Sequence, residues 1–112
     1  MNFLHRFLGH DDVPTVTADD IAAKSRQGES FALLDVREAD EWEAARIPGA
    51  MWIPLGELPQ RMHELPGDRE IICVCRSGGR SELAVRLLRA NGYESSNLQG
   101  GMLDWPGEVE SS

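Results

Sequence analysis

The sequence predicts an α/β fold in which a parallel sheet is covered by helices on both faces. Short apolar runs rich in β-branched residues alternate with stretches whose apolar residues recur at helical spacing. The run Ile71-Ile72-Cys73-Val74 is continuously apolar, which is typical of a strand buried on both faces. With 112 residues and 41% hydrophobic content, the chain can bury one core and has no room for a second domain.

The first half of the chain predicts two strands, each followed by a helix. Thr17 or Asp19 can cap the first helix, and the acidic residues after position 37 favour the start of the second. The expected elements, in order, are a short strand at 15–17, a helix that ends before Gly28, a buried strand at 31–36, and a short helix that bears Trp42 and stops at Pro48-Gly49.

The second half predicts the rest of the sheet. Pro54 restricts its strand to an edge or an end, because proline cannot donate to a central ladder. The expected elements are a strand and turn at 51–55, a short helix through Leu58, Met62 and Leu65, the strand at 71–74, a helix that opens near Ser81 and stops at Asn91-Gly92, a weak strand at 93–98, and a turn at 99–101.

The domain proper is expected to span residues 15–107. Residues 1–14 are interpreted as an N-terminal extension, in which Phe3, Leu4, Phe7 and Leu8 can form one face of a short docking helix. Residues 108–112 read as a polar tail. The N-terminal segment lacks a long apolar core and a small-residue cleavage site, so neither an export signal nor a membrane span is expected.

Composition excludes some partners. The formal net charge of −8 and the pI near 4.7 disfavour nonspecific binding to nucleic acid or to anionic membranes. Two cysteines fit a reducing compartment better than a disulfide framework, which predicts a cytoplasmic protein. Nothing in the sequence demands more than a monomer.

The segment Cys75-Arg76-Ser77-Gly78-Gly79-Arg80-Ser81 is the candidate active site. It follows the buried strand at 71–74 and so lies at the edge where open α/β sheets bind ligands. The two glycines allow successive N–H groups to converge on an anion, and the helix N-terminus and two arginines add positive charge. Together these groups should lower the pKa of Cys75 below the usual value of about 8.5, which makes Cys75 a candidate nucleophile.

Two other roles for the cysteines are disfavoured. Cys73 lies inside the apolar run and is interpreted as a packed strand residue, and a bridge between Cys73 and Cys75 would be close to the geometric limit. A Cys-x-Cys pair with the scattered histidines His5, His10 and His63 lacks the ligand spacing of zinc modules. We therefore expect neither a metal nor a cofactor.

The chain resembles the single-domain rhodaneses through a series of blocks that appear in family order and cover residues 15–105. The blocks are Leu34-Asp35-Val36-Arg37-Glu38, Glu41-Trp42, Ile47-Pro48-Gly49-Ala50, Ile53-Pro54-Leu55, Cys75-Arg76-Ser77-Gly78-Gly79-Arg80-Ser81, Gly92-Tyr93 and Leu98-x-Gly100-Gly101-x-x-x-Trp105.

The resemblance implies a rhodanese-like domain with a five-stranded, mainly parallel sheet flanked by helices on both faces. It implies that Cys75 cycles between thiolate and persulfide, and that Asp35 and Arg37 support the site structurally. It also implies that Arg76 and Arg80 attract an anionic donor. The residues whose backbone would cradle the transferred sulfur are Arg76, Ser77, Gly78, Gly79, Arg80 and Ser81.

One position departs from the family pattern. Rhodanese domains often carry histidine immediately before the Ile-Pro-Gly-Ala block, where this chain has Arg46. We interpret Arg46 as a solvated arginine at a helix end. The three tryptophans, Trp42, Trp52 and Trp105, are interpreted as packing residues.

Several functions are compatible with such a loop. Related phosphatases separate their cysteine and arginine by five residues, whereas four residues separate Cys75 from Arg80. The shorter loop favours sulfur transfer over phosphatase or arsenate-reductase chemistry. The expected donor is thiosulfate or another sulfane compound, and the acceptor is cyanide, a thiol or a protein. The alternative is a persulfide carrier or a protein-interaction module with little free turnover.

Overall fold

The computed structural model describes residues 13–112, which form one α/β domain. Its strands are β1 (Thr15–Val16), β2 (Phe31–Asp35), β3 (Met51–Trp52), β4 (Glu70–Val74) and β5 (Ser95–Leu98). They form a single five-stranded sheet in the order β1-β5-β4-β2-β3, and every pairing is parallel. This topology confirms the predicted fold class.

Within residues 13–112, four α-helices connect or flank the strands. They are α1 (Ala18–Arg26), α2 (Ala39–Ala44), α3 (Leu58–Arg61) and α4 (Gly79–Ala90), accompanied by short 3-10 turns at Leu55–Glu57, Met62–Glu64 and Gly101–Asp104. Thr17 caps α1 as predicted, since its hydroxyl accepts from the Asp20 N–H and its own N–H donates to the Asp20 carboxylate.

The sheet has an apolar core on each face. Ile71, Cys73 and Cys75 point to one side, where they pack with residues of α3 and α4 such as Leu58 and Leu88. The alternate β4 residues, Ile72 and Val74, point to the other side, where they form a second cluster with Ile21, Ile47 and Leu98. Burial of each large aliphatic side chain contributes about 1.5–3 kcal/mol, which explains why β4 is apolar from Ile71 to Val74.

Arg46 lies at the end of α2, where its Nη1 donates to the Trp42 carbonyl at 3.2 Å, but it is not the solvated residue that the sequence predicts. Its backbone exchanges two hydrogen bonds of 2.9 Å with Glu110, and its side chain donates to the Glu110 carboxylate and to the Ser112 hydroxyl. The guanidinium also lies 5.0 Å from the centre of the Trp42 ring, and only 16% of the side chain is exposed. The interpretation was wrong because its partner is a tail 64 residues away in the chain.

The tryptophans pack as expected. Trp42 of α2 stacks on Trp52 of β3 with ring centroids 5.6 Å apart, and Trp105 packs against the second core cluster. The candidate docking residues Phe3, Leu4, Phe7 and Leu8 lie outside the described residues, as do His5 and His10. Among residues 13–112, no helix is long and apolar enough to cross a membrane.

Candidate active site

Cys75 immediately follows β4, at the carboxyl edge of the sheet, where the sequence predicts the nucleophile. The residue is only 1% exposed, and both cysteines are free thiols. Cys73, two residues earlier, is fully buried, and burial raises its pKa to about 12. The two thiols therefore differ in chemistry: Cys73 is a core residue, whereas Cys75 lies in a loop that supplies hydrogen-bond donors.

The loop after Cys75 points its donors at the sulfur. The Gly78 N–H donates to Cys75 Sγ at 3.0 Å, and the Ser81 hydroxyl donates to the same atom at 3.2 Å. Burial of the sulfur raises the pKa of Cys75, but the Ser81 hydroxyl and the N–H groups of Ser81, Gly78 and Ser77 outweigh it, so that the net pKa is lowered. The site thus favours a thiolate.

The helix after the loop begins at Gly79, two residues before the predicted start near Ser81. Gly78 is its N-cap residue and adopts the left-handed conformation with φ of +116°, which a side chain would penalise. The first N–H groups of α4 have no partner within the helix. The earlier start therefore places Gly79, Arg80 and Ser81 in the first turn, where the helix favours negative charge.

Asn97 of β5 is a site residue that the sequence analysis missed. Its side-chain oxygen lies 2.5 Å from the Ser81 hydroxyl oxygen, so that Asn97 and Cys75 Sγ share the single hydroxyl proton, and its amide nitrogen donates to the Gly78 carbonyl at 3.2 Å. Asn97 is 7% exposed and pairs in register with Cys73 of the adjacent β4. The signal in the sequence was a polar residue within a strand that is otherwise buried. That Asn97 lies near Cys75 follows only from the strand order, which places β5 beside β4.

Asp35 and Arg37 form a buried ion pair next to the loop-bearing strand. The Arg37 Nη2 donates to Asp35 Oδ2 at 2.7 Å, and the same guanidinium donates to the carbonyls of Glu41 and Ala45. The Trp52 indole N–H donates to the Arg37 carbonyl at 2.9 Å. The pair therefore fastens the end of β2 to α2 and β3, an arrangement consistent with the expected supporting role.

The two loop arginines differ in their environment. Arg80 donates from Nη1 and Nη2 to both carboxylate oxygens of Glu41, at 2.7 and 2.8 Å. Chiefly because of the Arg80 hydrogen bonds, the pKa of Glu41 is lowered to about 2. Arg76 is exposed and makes no ion pair with any residue in the described range 13–112. Within the described part of the chain, Arg76 is thus the loop arginine whose charge is uncompensated.

The turn that follows β5, Gly101–Asp104, contacts the backbone of the loop. The Met102 N–H donates to the Cys75 carbonyl at 2.8 Å, and the Leu103 N–H donates to the Arg76 carbonyl at 3.0 Å. Gly101 has a φ of +54°, and a Cβ there would lie 2.3 Å from the Cys75 carbonyl oxygen. The close approach requires glycine, which gives a physical reason for the second glycine of the Gly100-Gly101 pair.

No group of three or more His, Cys, Asp or Glu side chains within residues 13–112 is arranged to hold a metal ion. His63, which lies in the turn Met62–Glu64, joins no such group.

The fold and the site define a class: an α/β domain that presents a cysteine thiolate in an anion-binding loop at the carboxyl edge of a parallel sheet. The family model for the rhodanese-like domain matches residues 17–108. The chain belongs to the rhodanese-like family.

Individual relatives agree with this assignment. YrkF of Bacillus subtilis, named as a proposed sulfur carrier protein, is 41% identical over 107 residues, which are 95% of this chain and 58% of YrkF. A sulfurtransferase of Allochromatium vinosum is 34% identical over 94 residues, or 83% of this chain and 88% of the relative. The solved rhodanese-like domain protein of Staphylococcus aureus has a TM-score of 0.81 at 30% identity and covers 88% of this chain and 98% of its own.

Proposed function

We propose that the protein is a sulfurtransferase that carries a sulfane sulfur on Cys75. The donor is thiosulfate or a related sulfane compound, and the acceptor is cyanide, a thiol or a protein. The observation that carries this proposal is the pair of donors on Cys75 Sγ, the Gly78 N–H at 3.0 Å and the Ser81 hydroxyl at 3.2 Å. These donors favour the thiolate, which is the nucleophilic form.

The reaction has two displacement steps. The Cys75 thiolate attacks the outer sulfur of thiosulfate, the sulfur–sulfur bond of the donor breaks, and sulfite leaves with the bonding electron pair. The resulting Cys75 persulfide carries its negative charge on the outer sulfur. An acceptor nucleophile then attacks that sulfur, and the thiolate is restored.

The loop would hold the persulfide. Its outer sulfur extends beyond Cys75 Sγ, toward N–H groups of the loop and the first turn of α4, which suit an anion. The residues assigned to sulfur binding in this proposal are Arg76, Ser77, Gly78, Gly79, Arg80 and Ser81. Arg76 supplies free charge, whereas Arg80 acts through its bond to Glu41.

Phosphatase chemistry is less well supported. It needs an acid to protonate the leaving group. Asp35 is 1% exposed and bonded to Arg37, so it is not available to donate a proton at the loop. The separation of Cys75 and Arg80 by four residues also favours the smaller sulfur ligand.

A persulfide carrier is the second candidate. The similarity to YrkF, whose name describes a carrier, favours it over a pure interaction module, as does the presence of Cys75. The chain spans 58% of YrkF, so the roles of that whole protein are a hypothesis here. We also propose that the protein is a monomer in a reducing compartment such as the cytoplasm. The two free cysteines support the reducing compartment.

The test is a turnover assay on the reduced protein with thiosulfate, in which sulfite release and thiocyanate formation from cyanide are both measured. We expect Cys75→Ser to lose all detectable transfer, while Cys73→Ala, the matched control that removes the other thiol, keeps it. Transfer by Cys75→Ser at the wild-type rate would overturn the proposal. Slow sulfur transfer to small thiols, together with faster transfer to a protein acceptor, would identify the protein as a persulfide carrier.

A further inference from the structure

The bond between Arg80 and Glu41 joins the loop to α2 and determines which charges face a donor. Both terminal nitrogens of Arg80 are used by the Glu41 carboxylate, at 2.7 and 2.8 Å. Glu41 is itself held, because its Oε1 accepts from the Glu38 N–H at 3.0 Å. The Glu41 side chain is 24% exposed and the Arg80 side chain 35%, so both are partly buried at the edge of the site.

This arrangement lowers the net positive charge at the loop. Two arginines in the segment 75–81 would provide two charges for a dianion, but one of them is compensated by Glu41. Arg76 then provides the free charge. The Coulomb energy between a donor and the loop scales with the product of their charges. The loss of one positive charge at the loop therefore lowers the logarithm of the binding constant twice as much for a dianion as for a monoanion.

We propose that Glu41 is a specificity-determining residue, which by engaging Arg80 adapts the site to singly charged sulfane donors rather than to dianions such as thiosulfate. The substrate class is a thiosulfonate, which carries one negative charge. The Cys75 thiolate attacks its outer sulfur, the sulfur–sulfur bond of the donor breaks, and a sulfinate leaves with the bonding electron pair. This assignment of donor class rests on the proposed sulfurtransferase function.

The first experiment compares Glu41→Gln with the wild type on thiosulfate and on methanethiosulfonate, donors that carry two and one negative charges. Glutamine can still accept the Glu38 N–H, so α2 keeps its capping contact. We expect kcat/KM to rise about tenfold for thiosulfate and about threefold for methanethiosulfonate, with both gains reduced by added salt. Equal gains for the two donors, or none, would overturn the proposal.

The matched control is Glu82→Gln. Glu82 lies in the first turn of α4 and pairs with Arg86, so this variant removes one negative charge close to the loop without touching Arg80. We expect the ratio of the two donors to stay within about twofold of the wild type, since an exposed charge is screened. The same shift as in Glu41→Gln would assign the effect to overall charge and overturn the specific role of Glu41.

A second readout does not depend on sulfur transfer. The rates at which Cys75 reacts with iodoacetate and with neutral iodoacetamide are compared in both proteins. Glu41→Gln should raise the ratio of the anionic to the neutral reagent about threefold. If this ratio rises while no donor yields a persulfide, the role of Glu41 in charge selection stands and the sulfurtransferase proposal fails. An unchanged ratio in an actively transferring protein overturns the role of Glu41 alone.

Discussion

Ser81 and Cys75 are joined by a hydrogen bond of 3.2 Å between hydroxyl and sulfur, across the turn that begins α4. The serine is fully buried, and its hydroxyl also lies within hydrogen-bond distance of the Gly78 carbonyl and of Asn97 Oδ1. The three acceptors share the single hydroxyl proton, and their contacts hold the hydroxyl in position beside the thiolate. The loop lowers the pKa of Cys75 through these hydrogen bonds, without a histidine beside the sulfur among the described residues.

Removal of that donor should change the acidity of Cys75. In Ser81→Ala we expect the pKa of Cys75 to rise, because the thiolate loses a hydrogen bond while its burial is unchanged. The pH profile of iodoacetamide alkylation should move to higher pH, and the rate near neutral pH should fall about five- to tenfold.

Ser96→Ala is the matched control for this profile. It also removes a buried hydroxyl, but one on β5 that donates to Glu70 instead of approaching Cys75. Its alkylation profile should coincide with that of the wild type. A Ser81→Ala profile that also coincides with the wild type would contradict the role of the hydroxyl.

Gly101 should tolerate no side chain. In Gly101→Ala the new Cβ would meet the carbonyl oxygens of Cys75 and Arg76 at 2.3 and 2.7 Å, and the residue would have to keep a positive φ. We expect a loss of at least about 2 kcal/mol in the free energy of unfolding, measured by urea denaturation.

Gly56→Ala is the control, since a Cβ at Gly56 meets no atom within 4 Å and its φ is not positive. It should change the free energy of unfolding by less than about 1 kcal/mol. Equal stability of the two variants would mean that the turn at Gly101 does not hold the loop as described.

The buried pair of Asp35 and Arg37 should dominate the ionic contribution to stability. Arg37→Gln leaves the Asp35 carboxylate without its charged partner at 1% exposure, and such a change typically costs about 3–5 kcal/mol. Arg61→Gln removes an arginine whose two acidic partners are exposed, and it should cost less than about 1 kcal/mol. Urea denaturation of both variants is the measurement, and similar losses would argue against a supporting role for Arg37.

The sequence was sufficient to predict the sheet and to place the candidate nucleophile, Cys75, directly after the strand β4. Apolar runs and glycine signals are local, so the strand at 71–74 and the loop at 75–81 could be identified without knowledge of the fold. The start of α4 was misplaced by two residues, because the left-handed conformation of Gly78 lets the helix begin directly after it.

The partners of the site residues could not be predicted in the same way. Glu41 and Arg80 are 39 residues apart, and Ser81 and Asn97 are 16 apart. These contacts depend on β2 and β5 lying on either side of β4, which is a property of strand order. Arg46 was misread for the same reason, because its partner Glu110 lies beyond the last strand.

The central claim is that Cys75 carries the transferred sulfur, and the most direct test is the intact mass of the reduced protein after incubation with a sulfane donor. We predict that the wild type and Cys73→Ala each gain one sulfur atom, that fragmentation maps it to Cys75, and that cyanide removes it. Cys75→Ser should gain none. A folded wild type whose mass does not change with thiosulfate, methanethiosulfonate or a hydropersulfide, or a sulfur mapped to Cys73, would contradict the account.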